Sequence, residues 1–216
     1  MAANEAALPH RRRRGAAALL VLLAITGTCP APAETISPEQ VIATTAEFLA
    51  ALVATHYAEL EADLQRSSAL ADEYLLPQFD LTSACRLILR DAWKTATPEQ
   101  RQRFVEAFYR FLLASYGEGL LKFRHDTIRV LPSTMEATGA SARVRTQARL
   151  TGGKLFNVDF YMRLDDRGWR IVDVMVEGVS YVRTYRSEFG MEIRAGGLEA
   201  LTARLEDVAN ERAGSP

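Results

Sequence analysis

Between Trp169 and Phe189 the chain reads WRIVDVMVEGVSYVRTYRSEF, a strand-like run that passes into a helix-like run with no loop between them. Val172, Val174 and Val176 alternate with Ile171, Asp173 and Met175, so the first half is apolar on both faces and rich in β-branched residues. Glu177, Gly178 and Ser180 interrupt it. Tyr181, Val182, Tyr185 and Phe189 then recur at helical spacing. A strand buried on two sides requires cover on two sides. The chain must therefore build layers around this strand, and what fills the space beside it decides the function.

The N-terminus is built for export. His10 to Arg14 form a positive region, Gly15 to Thr28 an apolar one, and Ala31-Pro32-Ala33 a small-residue cleavage site, which predicts a signal peptide over residues 1–33. The apolar region is too short to span a bilayer, and no later stretch has the roughly 18 apolar residues a membrane helix needs. The expectation is a protein that is exported, processed after Ala33 and soluble. Cys29 is preceded by Thr26-Gly27-Thr28, a poor lipid-attachment box, and the Arg11 to Arg14 run is followed by a plain Gly-Ala stretch, so the general secretory route is expected. Processing removes four arginines and one glutamate, leaving 22 basic against 26 acidic side chains and a net charge of −4. That balance argues against nucleic acid as a partner, because phosphate binding requires a basic field. Only Cys85 remains after cleavage, so no intramolecular disulfide can form, and its position on a helix suits a small apolar core residue.

Ser37-Pro38-Glu39-Gln40 gives a cap, a proline at the first helical position and a glutamine two residues on, which predicts a helix to about Gln65 through Val41, Phe48, Leu49, Leu52, Val53 and Leu60. A short helical piece ends at Leu75-Leu76-Pro77, and a second helix runs through Leu87, Ile88 and Trp93. Thr97-Pro98-Glu99-Gln100 repeats the cap and opens the strongest helix, with Phe104, Val105, Phe108, Phe111, Leu112 and Tyr116. From Thr127 the period changes to two. Ala142, Val144, Thr146, Ala148 and Leu150 alternate against Arg143, Arg145, Gln147 and Arg149, a strand with a cationic outer face. Thr151-Gly152-Gly153 and Asp165-Asp166-Arg167-Gly168 predict hairpin turns around a strand through Phe156, Val158, Phe160, Met162 and Leu164. Two helices follow, about 180–194 and 197–208, and the polar end from Asn210 is expected to fray. The reading is a single α+β domain over residues 34–209, with an antiparallel sheet of about four strands between N-terminal and C-terminal helices.

Few residues offer chemistry. His56 and His125 are the only histidines after processing, and neither has metal-ligand spacing. Ser180 lacks a nucleophile-elbow sequence and suits a helix cap better. Asp173 and Glu177 stand in or beside an apolar strand, where a carboxylate is costly unless paired. They read either as a general acid and base or, preferably, as structural groups held by an arginine or by backbone amides. Glu177 also suits fixing the strand-to-helix turn. Arg143, Arg145 and Arg149 form a basic stripe that reads as a solvated strand face, or as a surface for phosphate headgroups or an acidic partner.

Several blocks together resemble the MlaC-type periplasmic phospholipid-shuttle family, also called the toluene-tolerance family. They are Tyr74 to Pro77 with Phe79-Asp80, Leu87 to Trp93, Ala96 to Arg101 with Phe104 and Phe108, Leu113 to Tyr116, Val144-Arg145-Thr146, Trp169 to Ser180, Arg186 to Phe189, and Gly196-Gly197-Leu198 to Leu205. The resemblance covers about Pro38 to Leu205. It implies a periplasmic carrier with no turnover and no cofactor, with a phospholipid as cargo held in an internal apolar pocket between sheet and helices. It implies as partners an inner-membrane ABC transporter complex and an outer-membrane lipoprotein complex, in a system that maintains outer-membrane lipid asymmetry. Some relatives look linked to hopanoid metabolism, so a hopanoid-related lipid is an alternative cargo. At Arg90 family members often carry glycine, and the long side chain suggests different packing on that helix.

Burial is worth about 0.8 kcal/mol per methylene, so two tails of about 15 methylenes each carry on the order of 24 kcal/mol of hydrophobic cost in water. A carrier must enclose them. An open, dry pocket on the order of 500 Å³ would cost roughly 12 kcal/mol, so the protein is expected to hold lipid or to close when empty. Phe108, Leu112, Tyr116, Phe160, Met162, Val174, Val176 and Tyr181 are the candidate lipid-lining residues, because they lie on apolar faces of the central helix, the sheet and the junction helix. Polar groups at the mouth are expected to be few, with weak headgroup selectivity. A monomer is expected, since a shuttle presents its opening to two complexes in turn. Two other readings remain: a periplasmic hydrolase using Asp173, Glu177 or His125, and a module whose apolar groove accepts a partner helix.

Overall fold

The computed structural model describes residues 36–62, 68–121, 123–150 and 155–213, with side chains throughout except at 57–62, 118–127, 150 and 213. All of these residues belong to one compact unit, Thr35–Pro216. The expected signal peptide, the helix end near Gln65 and the Thr151-Gly152-Gly153 turn lie outside the described residues, as do the side chains of Leu60 and His125.

Both expected caps form. Ser37 N–H donates to Gln40 Oε1 at 2.9 Å while Gln40 N–H donates to Ser37 Oγ at 3.2 Å, and Thr97 with Gln100 repeats the same two bonds at the same two distances. Each box satisfies two backbone donors that a helix start leaves open. The first opens α1, Pro38–Ala62, which leaves helical geometry at His56, and the second opens the long helix α4, Pro98–Leu121. Between them a π-helical turn at Ala71–Leu75 and a 3-10 turn at Leu76–Gln78 lead to α2, Leu81–Leu89, and α3, Asp91–Thr95. Asp80 caps α2 by accepting the Ser83 N–H at 2.9 Å.

The second helix expected from the sequence is therefore two, broken at Arg90. This residue sits at φ +51° and ψ −108°, backbone space that a side chain disfavours and glycine tolerates. The special feature at Arg90 is thus its backbone conformation, and its side chain is exposed.

The sheet has six antiparallel strands where about four were expected: β1 Phe123–Val130, β2 Thr134–Met135, β3 Ser141–Leu150, β4 Leu155–Asp165, β5 Gly168–Val176 and β6 Val179–Ser180. The order is β1-β3-β4-β5-β6, with β2 also on β3. The additions, β2 and β6, are two residues each, too short for any periodicity to announce. Register puts Val144 opposite Phe160 and Phe160 opposite Val174. Ala142, Val144, Thr146 and Ala148 are buried on that side, as the alternation required, and Thr146 satisfies its hydroxyl on the Val158 carbonyl at 2.8 Å.

Strand β5 departs from a simple alternation. Tyr161 faces Asp173 while Met162 faces Ile171, so Val172 is an extra residue, a β-bulge. The bulge returns Trp169 and Ile171 to the face that carries Val174 and Val176. Burial also differs along the strand: Trp169, Ile171 and Val172 are buried, whereas 173–176 are half-buried. The two-sided cover inferred from the sequence exists only at the start of β5.

Two separate cores result. One joins the sheet to α1 through Ile42, Ala142, Val144, Met162, Trp169 and Ile171. The other is helical and joins α2, α4 and the last helix, α5 (Tyr181–Ala213), through Cys85, Ile88, Phe104, Phe108, Phe189 and Leu205. Helices α2 and α5 both contact β5, and α1 contacts β1, β3 and α4. Inside α5 the chain breaks at Gly197, φ +82° and ψ 172°, matching the two helices expected there. The helix then continues to Ala213, beyond the fraying point expected at Asn210, and Arg212 donates from its side chain to the Ala114 carbonyl at 3.0 Å.

Candidate functional site

The sequence brought strand and helix together without a loop, but the chain inserts a hairpin. Val176 pairs with Val179, so Glu177 and Gly178 form a two-residue turn at φ +47° and +83°. Two positive φ values are the signature of the turn whose twist suits a hairpin, and glycine enters that region without steric cost. Glu177 has a Cβ and is held there by Asn157 of β4. Its N–H donates to the Asn157 carbonyl at 2.9 Å and its carboxylate accepts the Asn157 N–H.

Asp173 and Ser180 then start α5. Asp173 Oδ1 accepts the Val182 N–H at 3.0 Å, and its other oxygen accepts the Ser180 hydroxyl. Ser180 Oγ accepts the Arg183 N–H at 3.1 Å. A helix start leaves four donors open, and these two side chains satisfy two of them. The groups that might have formed an acid and base pair are both occupied by backbone, Asp173 at the helix start and Glu177 at the turn.

A hollow of about 320 Å³ opens beside this junction. Val176 and Val179 form one wall, Tyr181, Thr184, Tyr185 and Glu188 the facing side of α5, and Tyr116 comes across from α4. A second hollow of about 330 Å³ shares Val179 and Thr184 and adds Gly178, Ser180 and Arg183. Tyr116 and Tyr185 join hydroxyl to hydroxyl at 2.8 Å. Burial holds the Tyr185 hydroxyl far above the usual tyrosine range, and the bond to Tyr116 adds to the effect; burial also raises Tyr181, with Tyr116 again the next cause. Both phenols stay protonated at any physiological pH.

Of the expected lining residues, the structure gathers Tyr116, Val176 and Tyr181 at the hollow. Phe160 and Val174 lie on the same sheet face as Val176, half-buried against the sheet core. Leu112 packs half-buried on the helical core, while Phe108 and Met162 are 3% and 1% exposed, packed inside the helical and sheet cores respectively. Val179, Thr184, Tyr185 and Glu188 were not among the expected lining residues. Tyr181, Thr184, Tyr185 and Glu188 stand at i, i+3, i+4 and i+7, one stripe of a helix, and that spacing was the available signal.

The basic stripe is divided. Arg143 pairs with Asp159 and lies 5.5 Å over the Tyr161 ring, while Arg145 and Arg149 are exposed on the same face. Cys85 is fully buried, as expected, and burial followed by the nearby Asp80 charge holds its thiol well above the usual range. Among the described residues no three His, Cys, Asp or Glu side chains stand together as a metal site, and no helix is long and apolar enough to cross a membrane.

The family model described as MlaC protein matches residues 34–207. The toluene tolerance protein ttg2D of Pseudomonas putida is 29% identical over 187 residues, covering 86% of this chain and 84% of that protein. A phospholipid-binding protein of Ralstonia solanacearum, solved in complex with a phospholipid, superposes with a TM-score of 0.74 at 23% identity, over 81% of this chain and 98% of that one. At that identity the superposition establishes the α+β fold.

Proposed function

The chain belongs to the MlaC protein family, and from that membership we propose that it is a periplasmic phospholipid carrier. It accepts a phospholipid or related lipid from one membrane-bound complex and delivers it to another, acting as a monomer and without turnover. The partners are an inner-membrane ABC transporter complex and an outer-membrane lipoprotein complex, and the system maintains the lipid asymmetry of the outer membrane. Residues 1–33 direct export and are removed, and residues 34–209 form the lipid-binding domain. The ligand of the Ralstonia protein and the toluene-tolerance name of the Pseudomonas protein support a lipid cargo.

One observation carries the reading: a single apolar sheet face is sealed at one end and half-open at the other. Met162, Ile171 and Trp169 close it beneath α1, while Phe160, Val174 and Val176 lead toward the hollow at the edge of the helical core. Each hollow, at about 320 and 330 Å³, is smaller than two acyl chains require. A dry pocket costs about 24 cal/mol per Å³, so the empty protein closes and the tails enter by parting the two cores. Leu112, half-buried on the helical core, meets lipid in that opened form, while Phe108 and Met162 meet it only where their own core rearranges.

Native mass spectrometry of the protein recovered from exporting cells tests this directly. The expected spectrum contains a species heavier by the mass of one phospholipid, which solvent extraction removes. Protein that carries no lipid and takes none from vesicles would sink the carrier reading.

A further inference from the structure

The hollow is more polar than a mouth for tails requires, and its polar groups share one character. Tyr116 and Tyr181 meet at ring centroids 5.4 Å apart and 84° between planes, and Tyr181 and Tyr185 at 6.2 Å and 42°. The hydroxyl bond from Tyr116 to Tyr185 ties the third side of this corner across two helices. All three rings line one small volume. The face of an aromatic ring is the negative side of its quadrupole and attracts a cation, the more so where water is excluded. Because the phenols stay protonated, this attraction is that of neutral rings. Among the described residues Glu188 is the one ionisable carboxylate in the lining and no basic side chain lines the same hollow, and the Glu188 charge reaches the Tyr185 hydroxyl. The adjoining hollow, sharing Val179 and Thr184, is lined by a guanidinium, Arg183. Aromatic faces and a carboxylate therefore stand beside an arginine. That order complements an ammonium next to a phosphate.

On the phospholipid-carrier reading, we propose that this pair of hollows is a headgroup subsite selective for zwitterionic phospholipids. The ammonium of a phosphoethanolamine or phosphocholine headgroup lies among Tyr116, Tyr181 and Tyr185 with Glu188 as its counter-charge, and the phosphate lies toward Arg183. This replaces the weak headgroup selectivity expected from the sequence with a preference.

The test uses vesicles that contain phosphatidylethanolamine and phosphatidylglycerol of identical acyl chains in equal amounts, so that both lipids are offered from one surface. The full processed protein is incubated with them, and the lipid it carries is counted by native mass spectrometry. The wild type takes phosphatidylethanolamine in about fivefold to tenfold excess, the range expected of one partly desolvated cation–π contact with a counter-charge. Glu188→Gln and Tyr181→Leu each reduce the excess, read as the ratio of the two lipids whatever the total loading, to about twofold or less. Asp207→Asn, which removes the same charge outside the lining, leaves the excess unchanged. Equal loading of the two lipids by the wild type, or an excess that survives Glu188→Gln, overturns the headgroup assignment and leaves the carrier reading standing. Loading of neither lipid overturns both.

Discussion

Arg90 and Asp173 show how single positions carry cost and support in this molecule. Arg90 holds a positive φ between α2 and α3 with an exposed side chain. Replacing it with glycine removes the steric penalty of the Cβ but widens the unfolded ensemble. The first effect is the larger at φ +51° and ψ −108°, so Arg90→Gly is expected to raise stability by about 1 kcal/mol, read as an upward shift of the urea midpoint at unchanged slope. Asp173→Asn should act in the other direction. The asparagine oxygen still accepts from Val182, but its amide cannot accept from the Ser180 hydroxyl. The expected loss is about 1 kcal/mol in thermal or chemical unfolding, with lipid loading kept by the folded fraction. A variant that unfolds like the wild type yet loses function would return Asp173 to the list of catalytic groups.

At the scale of elements, α4 and the second half of α5 are joined across their surface by Arg103, which reaches Glu199 at 2.8 Å and Glu206 at 2.6 Å. The hydrogen bond from Arg103 holds the Glu206 carboxyl below its ordinary value, against a smaller opposing effect of burial. A carboxyl lowered by folding contributes stability above the ordinary glutamate value near 4.3 and loses it as pH falls through the lowered one. Arg103→Ala should therefore lower the melting temperature slightly at pH 7 and not at pH 2.5, with the difference also shrinking in high salt. A difference that persists in acid would mean that the arginine acts through packing. Elements with long periods or complete caps were legible in the chain itself: α1 and α4 through Ser37-Gln40 and Thr97-Gln100, and β3 through its alternating arginines. The bulge at Val172, the doubling back at Val179 and the break at Arg90 were not. The first two are changes of one or two residues set against a tertiary partner, Met162 across the sheet and Asn157 on β4, and the third is a backbone angle at one residue; a periodic pattern records neither. The site was half legible for the same reason. Apolar Val176 and Tyr181 announced themselves, while Glu188 looked like any exposed helix residue until Tyr116 was brought opposite.

The described residues form two cores on one chain, and under the proposed function this division sets how a closed protein would admit a lipid. The sheet with α1 and the bundle of α2, α4 and α5 each bury their own large side chains, so parting them costs only the contacts along the seam. Loading should then raise thermal stability in proportion to the logarithm of lipid concentration above its dissociation constant, about 2.7 kcal/mol at a hundredfold excess. Cys85 lies in the bundle and not on the seam, with none of its surface exposed. With residues 1–33 removed as proposed, it would be the single thiol of the protein. It is consequently a tamper seal set inside one of the two halves. A thiol reagent added while lipid exchanges with vesicles should leave it unlabelled if the halves part as rigid bodies, and labelling at the pace of exchange would show that the bundle itself melts to let the cargo through.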